Sequence, residues 1–284
     1  MNAFLLYGTV NLLTKLLPRR ACYAVARRAS GWACRHNHAV RNALAANLRV
    51  VLDGCGMAWL ESELEQLVRR NFANFGKYVV DFFQTGSLSP RALDALLKVD
   101  HIEYLQECRA MERGIIGLTA HVGNWELGAS VLGANGCRVN AVVLKQPSAR
   151  LDALFRSQRI RRGVHALSMN NAAASASACL KRNEVVVLLA DLDFSRGRRG
   201  APFFGKPARL PRGPAVLSKR TGAPILPAFV LRQADDTFRF RAYPPILPDR
   251  SQSVADMQRR ICTVLEEVIA DHPDQWFAFE SLWA

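Results

Sequence analysis

The feature of this sequence that most constrains its fold is a regular alternation of short apolar runs with helical stretches of roughly 10–15 residues. Strands that are apolar along their whole length are buried on both faces, and such strands are typical of parallel sheets covered by helices. We therefore predict an α/β fold in which a mostly parallel, mixed sheet is flanked by helices. The predicted strands are IIGLT (115–119), VNAVVL (139–144), VHAL (164–167), VVVLLA (185–190), ILPAFVL (225–231) and FRFRAY (238–243); the predicted helices start near 125 or cover 149–162, 172–183, 214–222 and 252–271.

The amino-terminal third of the chain has helical periodicity instead. No linker rich in proline, glycine or serine separates it from the part that follows. We therefore predict an amino-terminal helical, membrane-associating part, residues 1–98, and an α/β core, residues 99–284, that together form one integrated domain. The predicted helices of the first part cover 2–30, 38–52, 60–84 and 89–98.

The chain is strongly basic, with 38 Lys and Arg against 24 Asp and Glu, a net charge of +14 and a pI near 10.0. Such a charge indicates an anionic partner, which could be a nucleic acid, an acidic protein or a membrane surface. Nucleic-acid binding is disfavoured, because aromatic residues are not interleaved with the basic clusters as base stacking requires. Residues 1–52 hold eight of the basic residues and no acidic one, which concentrates positive charge at the amino terminus.

The first residues, MNAFLLYGTVNLLTKLLPRR, carry apolar side chains at helical spacing, among them Leu6, Leu13 and Leu17. Asn11 and Lys15 interrupt this run, which is shorter than the ~20 apolar residues that a membrane span needs. Its basic residues follow the apolar stretch, whereas a secretory signal carries them in front. The pattern fits a helix that lies in an anionic membrane interface or a first helix that packs on the core. If the helix binds a membrane, we expect the attachment to be peripheral and on the cytoplasmic side.

Other kinds of site find little support in the sequence. Seven cysteines are scattered without C-x-x-C spacing, which disfavours a disulfide framework and a zinc site and indicates a reducing compartment. His36 and His38 have no third ligand at a suitable spacing, so we predict no metal and no cofactor. The sequence also lacks the G-x-S-x-G motif of serine hydrolases.

One histidine stands where a buried strand is predicted to end and a helix to begin. His121 follows the strand 115–119, and Glu126 lies five residues further on in the sequence HVGNWE. On one regular helix the two side chains could not meet, because roughly 100° per residue puts them on different sides. They could meet if Gly123 adopts an unusual backbone angle and Asn124 caps the helix. Glu126 would then fix the imidazole tautomer and make His121 a general base; the alternative is a capped helix with an incidental histidine.

Asp191 also follows a predicted strand, 185–190, directly. In parallel α/β sheets, functional sites lie beyond the carboxyl ends of the strands. His121 and Asp191 are therefore both predicted at the functional edge of the sheet.

The segment TAHVGNWELGA (119–129) resembles the signature of the bacterial lipid A biosynthesis acyltransferases. These are the late lauroyl and myristoyl transferases within the lysophospholipid acyltransferase superfamily, which is marked by H-x-x-x-x-D/E. The likeness extends over most of the chain. The other matching blocks are NLLTKLLPRRACYAVAR (11–27), RNFANFGKYVVDFF (70–83), LLADLDFSRG (188–197), APFFGKPARLPRGPAVLSKRTGAPILPAF (201–229) and HPDQWFAFESLW (272–283).

The resemblance implies a metal-independent O-acyltransferase with His121 as the base and Glu126 as its catalytic partner. It implies substrate-binding roles for Asn124, Arg159 and Asp191. The donor would be a thioester of acyl-carrier protein or coenzyme A, and the acceptor a hydroxyl of an anionic lipid A precursor of the Kdo-lipid IVA type. Other glycolipid acceptors, such as phosphatidylinositol mannosides, stay open, since relatives that acylate them share the motif. A catalytically inert lipid-binding relative is a further alternative.

Two basic clusters are candidates for binding the acidic carrier protein and the phosphates of the acceptor. The alternative for each cluster is a solvated face. The segment FFG (203–205) could touch an acyl chain or anchor the second cluster to the core. Leu192 departs from the polar residue that the family usually has there. The first cluster is Arg156, Arg159, Arg161 and Arg162, and the second is Arg196, Arg198, Arg199, Lys206, Arg209 and Arg212.

Overall fold

The computed structural model describes residues 3–56, 58–193, 200–249 and 251–283. The fold is α/β as predicted, with a helical amino-terminal region ahead of the sheet. None of the helices in these ranges combines the length and apolarity that crossing a bilayer requires. The amino-terminal helices are α1 (Ala3–Leu16), α2 (Arg19–His36), α3 (His38–Gly54), α4 (Glu61–Gln84) and α5 (Pro90–Leu96), with a single 3-10 turn at Thr85–Ser87 between the last two.

The predicted helix over 2–30 is wrong as a single element. Pro18 separates α1 from α2, and α2 then continues to His36. Proline has no N–H to donate, and its ring keeps the residue before it out of the helical conformation. Leu17 therefore leaves the helix, and Pro18 takes the position just before α2.

The rest of the chain builds the sheet and the helices that cover it. The strands are β1 (Leu97–Asp100), β2 (Ile115–Thr119), β3 (Val139–Val143), β4 (Val164–Ser168), β5 (Val185–Leu189), β6 (Ala201–Phe203), β7 (Lys206–Ala208), β8 (Ile225–Arg232) and β9 (Phe238–Ala242). The helices are α6 (Glu103–Ala110), α7 (Trp125–Ala134), α8 (Ala149–Arg161), α9 (Ala172–Lys181), α10 (Gly213–Thr221) and α11 (Val254–Asp271), with 3-10 turns at Met169–Asn171 and Pro273–Gln275.

The main sheet is mixed and mostly parallel, with the strand order β1-β9-β8-β2-β5-β3-β4. The five strands from β8 to β4 run parallel to one another, whereas β9 runs antiparallel to β8 and carries β1 beside it. β2 and β5 are neighbours in register, so that Thr119 lies opposite Leu189. Their carboxyl ends therefore lie side by side at the centre of the sheet.

The strands β1, β6 and β7 and the helix α6 were not predicted. Residues 97–100 form β1 and not the end of a helix, because they pair with β9, about 140 residues further along the chain. α6 was missed, and a small hairpin of β6 and β7 lies between the predicted strand 185–190 and the predicted helix 214–222, where no element was predicted. Phe204 and Gly205 turn this hairpin with positive φ angles, and Phe203 stacks on Trp283. FFG thus anchors the segment to the core, whereas Arg196, Arg198 and Arg199 lie outside the described residues.

The amino-terminal helices pack directly onto the α/β part. Leu44 of α3 and Leu64 of α4 belong to the same hydrophobic cluster as Ile116 of β2 and Leu265 of α11. The boundary between residues 98 and 99 stays a prediction.

A buried ionic network reinforces this packing. The carboxylate of Asp81 in α4 has no exposed surface and accepts hydrogen bonds from Arg19 and Tyr23 of α2 and from Arg232 at the end of β8. Removing one partner from a buried network of this kind typically costs about 3 kcal/mol or more, so we expect these contacts to hold the helices in place.

Candidate active site

His121 and Asp191 lie next to each other at the functional edge of the sheet. Each residue follows its strand after a single alanine, Ala120 after β2 and Ala190 after β5. The hydrogen bond from the Ala190 N–H to the Thr119 carbonyl continues the pairing of the two strands to this point. The strand register therefore brings together two residues that are 70 positions apart in the sequence.

The carboxylate of Asp191 holds His121 by both its ring and its main chain. Nδ1 of the imidazole lies 2.9 Å from Oδ1 of Asp191, and the His121 backbone N–H donates to Oδ2 at 3.1 Å. Because a carboxylate accepts here, Nδ1 carries the proton, and in the neutral form of the ring Nε2 then has a free lone pair. This is the tautomer of a general base.

Asp191 is completely buried, whereas the side chain of His121 is 23% exposed. The indole Nε1–H of Trp276 donates a further hydrogen bond to Oδ2 of Asp191 at 2.9 Å. Burial alone would raise the pKa of Asp191, but the charge on His121 and the hydrogen bonds from His121 and Trp276 outweigh it and hold that pKa below its ordinary value. A buried carboxylate that favours its charged form therefore lies beside a partly exposed imidazole.

The prediction that Glu126 accepts a hydrogen bond from His121 is wrong. Oε1 of Glu126 instead accepts from Nε of Arg159 at 3.1 Å and from Nη2 at 2.9 Å, and no hydrogen bond joins its carboxylate to His121 within the described ranges. The reason is directional, since Glu126 faces α8 while Nδ1 of His121 faces the end of β5. His121 and Glu126 are therefore close in sequence, but each forms its hydrogen bond with a residue far along the chain.

Arg159 forms the ionic partner of Glu126 in a site with little solvent, since their side chains are 14% and 8% exposed. Burial works against the charge of Arg159, but the carboxylate of Glu126 outweighs it and raises the pKa of the guanidinium. The Arg162 guanidinium of the same cluster is buried as well and donates to the Phe82 and Gln158 carbonyls. Burial lowers its pKa. These two arginines are therefore not a solvated face, whereas Arg156 and Arg161 are exposed.

The turn between His121 and α7 is held by main-chain hydrogen bonds. The Gly123 N–H donates to the Gln275 carbonyl at 2.9 Å, and the Asn124 N–H donates to the Val230 carbonyl at 2.8 Å. Gly123 has φ +63°, and a Cβ there would lie 2.1 Å from the Val230 oxygen. The turn therefore requires glycine, as predicted.

Asn124 occupies the position before α7, but its side chain makes no capping hydrogen bond, which corrects the predicted cap. The carboxamide is buried, and neither its oxygen nor its nitrogen has a hydrogen-bond partner within the described part of the chain. A role for Asn124 in binding substrate stays a prediction.

A stack of two aromatic side chains lies on one side of the imidazole. The Trp125 ring lies edge-on to His121 with 5.1 Å between centroids, and Tyr78 of α4 stacks on Trp125 at 4.2 Å. Burial, and after it the charge of Glu126, raises the pKa of Tyr78 well above its usual value, so the phenol stays neutral. Residues of the amino-terminal helical part thus help to build the site.

The sequence interpretation missed Tyr78 and Trp276 as site residues. Both lie in blocks that resemble the family, RNFANFGKYVVDFF and HPDQWFAFESLW, and this resemblance was the one available signal. Leu192, the departure noted beside Asp191, packs against the main hydrophobic cluster. Within the ranges that the structure covers, no three His, Cys, Asp or Glu side chains are placed to hold a metal ion.

This chain is similar in sequence to two kinds of acyltransferase. The sequence model of the bacterial lipid A biosynthesis acyltransferase family matches residues 2–284. The phosphatidylinositol mannoside acyltransferase of Mycobacterium tuberculosis (strain ATCC 25618 / H37Rv) is 25% identical over an alignment of 294 positions, which covers 94% of this chain and 92% of that protein. The lipid A biosynthesis palmitoleoyltransferase of Escherichia coli (strain K12) is 24% identical over 223 residues, which cover 75% and 70% of the two chains.

Proposed function

Because this chain belongs to the bacterial lipid A biosynthesis acyltransferase family, we propose that it moves a fatty acyl group from acyl-carrier protein to a hydroxyl of a lipid A precursor of the Kdo-lipid IVA type. That the chain is an acyltransferase follows from the family; the donor and the acceptor are the proposed part. The observation that carries the mechanism is the hydrogen bond between His121 Nδ1 and the buried carboxylate of Asp191.

In the proposed reaction, Nε2 of His121 takes the proton of the acceptor hydroxyl while the oxygen attacks the thioester carbon. Asp191 offsets the positive charge that forms on the imidazole. The tetrahedral intermediate then expels the carrier thiolate, which receives the proton from His121 and leaves as a thiol. The new ester bond replaces the thioester bond, and the histidine returns to its starting state.

Asp191 thus takes the part that the sequence had suggested for Glu126. We assign to Glu126 and Arg159 the role of holding α7 against α8, because their ion pair joins the first turn of α7, which also carries Trp125, to α8. The exposed Arg161 on α8, together with Lys206 and Arg209 of the β6–β7 region, is a candidate for binding an acidic carrier protein or acceptor phosphates, whereas the exposed Arg156 pairs with Asp152 at 3.4 Å.

The runner-up acceptor is a phosphatidylinositol mannoside, since a relative over almost the whole chain is named for it. The test is an assay with membranes that contain the protein, in which lauroyl, myristoyl and palmitoyl carrier thioesters are offered with each acceptor. We expect product on the lipid A precursor, with one preferred chain length, and none with a His121→Ala control. Product on the mannoside alone would mean that the mannoside is the acceptor and that the proposed acyl-transfer chemistry still holds.

We also propose that the protein rests on the cytoplasmic face of the inner membrane through α1 and α2. Leu5, Leu12 and Leu16 are exposed along α1, and Val25 and Trp32 are exposed along α2. Basic side chains stand among them, including Lys15, Arg20, Arg27 and Arg28. The opposite side of α1 packs inward, where Tyr7 meets Phe155 edge-on. An exposed apolar stripe with basic neighbours fits an anionic interface.

Leu16→Glu should weaken binding to vesicles of phosphatidylglycerol and phosphatidylcholine about tenfold or more, because a leucine that enters the membrane interface is lost and a negative charge faces an anionic surface. Leu60→Glu is the matched control, since Leu60 is 66% exposed and Leu16 69%, but Leu60 lies ahead of α4. Vesicle sedimentation measures both variants. Unchanged binding of the Leu16 variant would contradict the proposed orientation.

A further inference from the structure

We propose that Trp276 is a positioning residue for the catalytic histidine, because its indole N–H fixes the plane of the Asp191 carboxylate. The inference deepens the proposed function and rests on it for the meaning of His121. It assigns a task to the closing segment HPDQWFAFESLW, which no other step of the mechanism uses.

The hydrogen bonds divide the two carboxylate oxygens of Asp191 between separate tasks. Oδ2 accepts from the Trp276 indole at 2.9 Å and from the His121 backbone N–H at 3.1 Å. Oδ1 is left for Nδ1 of the His121 ring at 2.9 Å. Two donors on one oxygen prevent the carboxylate from rotating and so aim the other oxygen at the imidazole.

Trp276 is itself held firmly. It is fully buried, its carbonyl accepts a hydrogen bond of 2.6 Å from Asn71 of α4, and it forms an isolated bridge with Val122. The next residue, Phe277, donates its N–H to the His121 carbonyl at 2.8 Å. The closing segment therefore contacts the main chain at His121 and Val122 as well as the carboxylate that holds the ring, which is the placement that a positioning element needs.

An indole suits this task chemically. Its N–H can only donate, whereas a hydroxyl in the same place could also accept and compete with Asp191 for the imidazole proton. A hydrogen bond to a charged, buried group is also stronger than one between neutral groups. Losing it should leave Asp191 in place with a carboxylate that only the backbone N–H and the ring of His121 hold, and that is therefore less well fixed.

The test compares Trp276→Phe with Trp283→Phe. Trp283 lies in the same segment, its ring centroid is 6.2 Å from that of Trp276, and its Nε1 is buried without a hydrogen-bond partner among the described residues. Both variants therefore lose an indole from one aromatic cluster, but only the first loses a donor to Asp191. We expect kcat to fall about tenfold in Trp276→Phe with KM within twofold, and kcat of Trp283→Phe to stay within twofold of the wild type.

A second readout does not depend on the substrate. The proton on Nδ1 of His121 should give a downfield, exchange-protected NMR signal in the wild type and in Trp283→Phe, and Trp276→Phe should lose it. If Trp276→Phe fails to fold, β-benzothienylalanine at position 276 removes the N–H at almost constant shape. The proposal is overturned if the Trp276 variant keeps its signal and turnover, or if both variants lose them equally. Absence of acyl transfer by the wild type would instead refute the proposed function, and the NMR signal would still decide this inference.

Discussion

His121→Ala is expected to lower kcat for acyl transfer by about 10³-fold or more while the protein keeps its fold. In its neutral form the imidazole combines a lone pair on Nε2, a partly exposed ring and a buried counter-charge. Without it the acceptor hydroxyl must lose its proton to water. The main-chain bonds of residue 121 to Asp191 and Phe277 do not involve the ring and should persist in the variant.

Acyl transfer and thermal unfolding should be measured together, with His165→Ala as the control. His165 is an exposed histidine on β4, at the edge of the same sheet and distant in strand order from β2. We expect the control to match the wild type in both measurements. Wild-type turnover in His121→Ala would contradict general-base catalysis by this residue.

That His121 and Asp191 lie at the same edge of the sheet, in the candidate site, could be predicted from sequence because it depends on one local rule. Strands that are apolar along their whole length can be recognised in the sequence, and the residues just past their carboxyl ends lie at the functional edge of the sheet. His121 and Asp191 were both predicted at this edge on that basis. Their pairing could not be predicted, because it depends on the strand order. Nothing in the linear sequence says that β5 lies beside β2 while β3, which comes between them along the chain, lies on the far side of β5.

The predicted contact between Glu126 and His121 shows the reverse error: a contact was predicted between residues close in sequence, and it does not form. A short separation made the contact look natural, yet the side-chain directions at the start of α7 send Glu126 to Arg159 of α8. Trp276 was missed for a related reason. A tryptophan in an apolar segment is usually explained by packing, and only the long-range placement of the closing segment brings its N–H to Asp191.

The predicted secondary-structure elements were wrong where long-range contacts outweighed the local preference of the sequence. β1 became a strand through pairing with β9, and the β6–β7 hairpin depends on buried Phe203 against Trp283. The break at Pro18 was different, since its cause is local and the sequence did carry the signal. Helices without such breaks, such as α4 and α11, were predicted to within a few residues.

Asp191→Asn is expected to lower kcat about 10³-fold, although the substitution is nearly isosteric. The indole of Trp276 and the backbone N–H of His121 both donate to one oxygen, so the amide oxygen of asparagine must occupy that position. The NH₂ group then faces Nδ1 of His121 and forces it to accept. The proton moves to Nε2, and the lone pair that would receive the acceptor proton is lost.

Glu126→Gln separates this effect from a general disturbance of the site. The glutamine oxygen can still accept from Arg159, so we expect turnover within about tenfold of the wild type and a loss of stability of up to about 3 kcal/mol from the broken ion pair. Steady-state kinetics and denaturant unfolding of both variants measure the contrast. The Asp191 variant should lose turnover far more than stability, and the Glu126 variant should do the reverse. A larger loss of turnover in Glu126→Gln would mean that Glu126, and not Asp191, supports the histidine during the reaction.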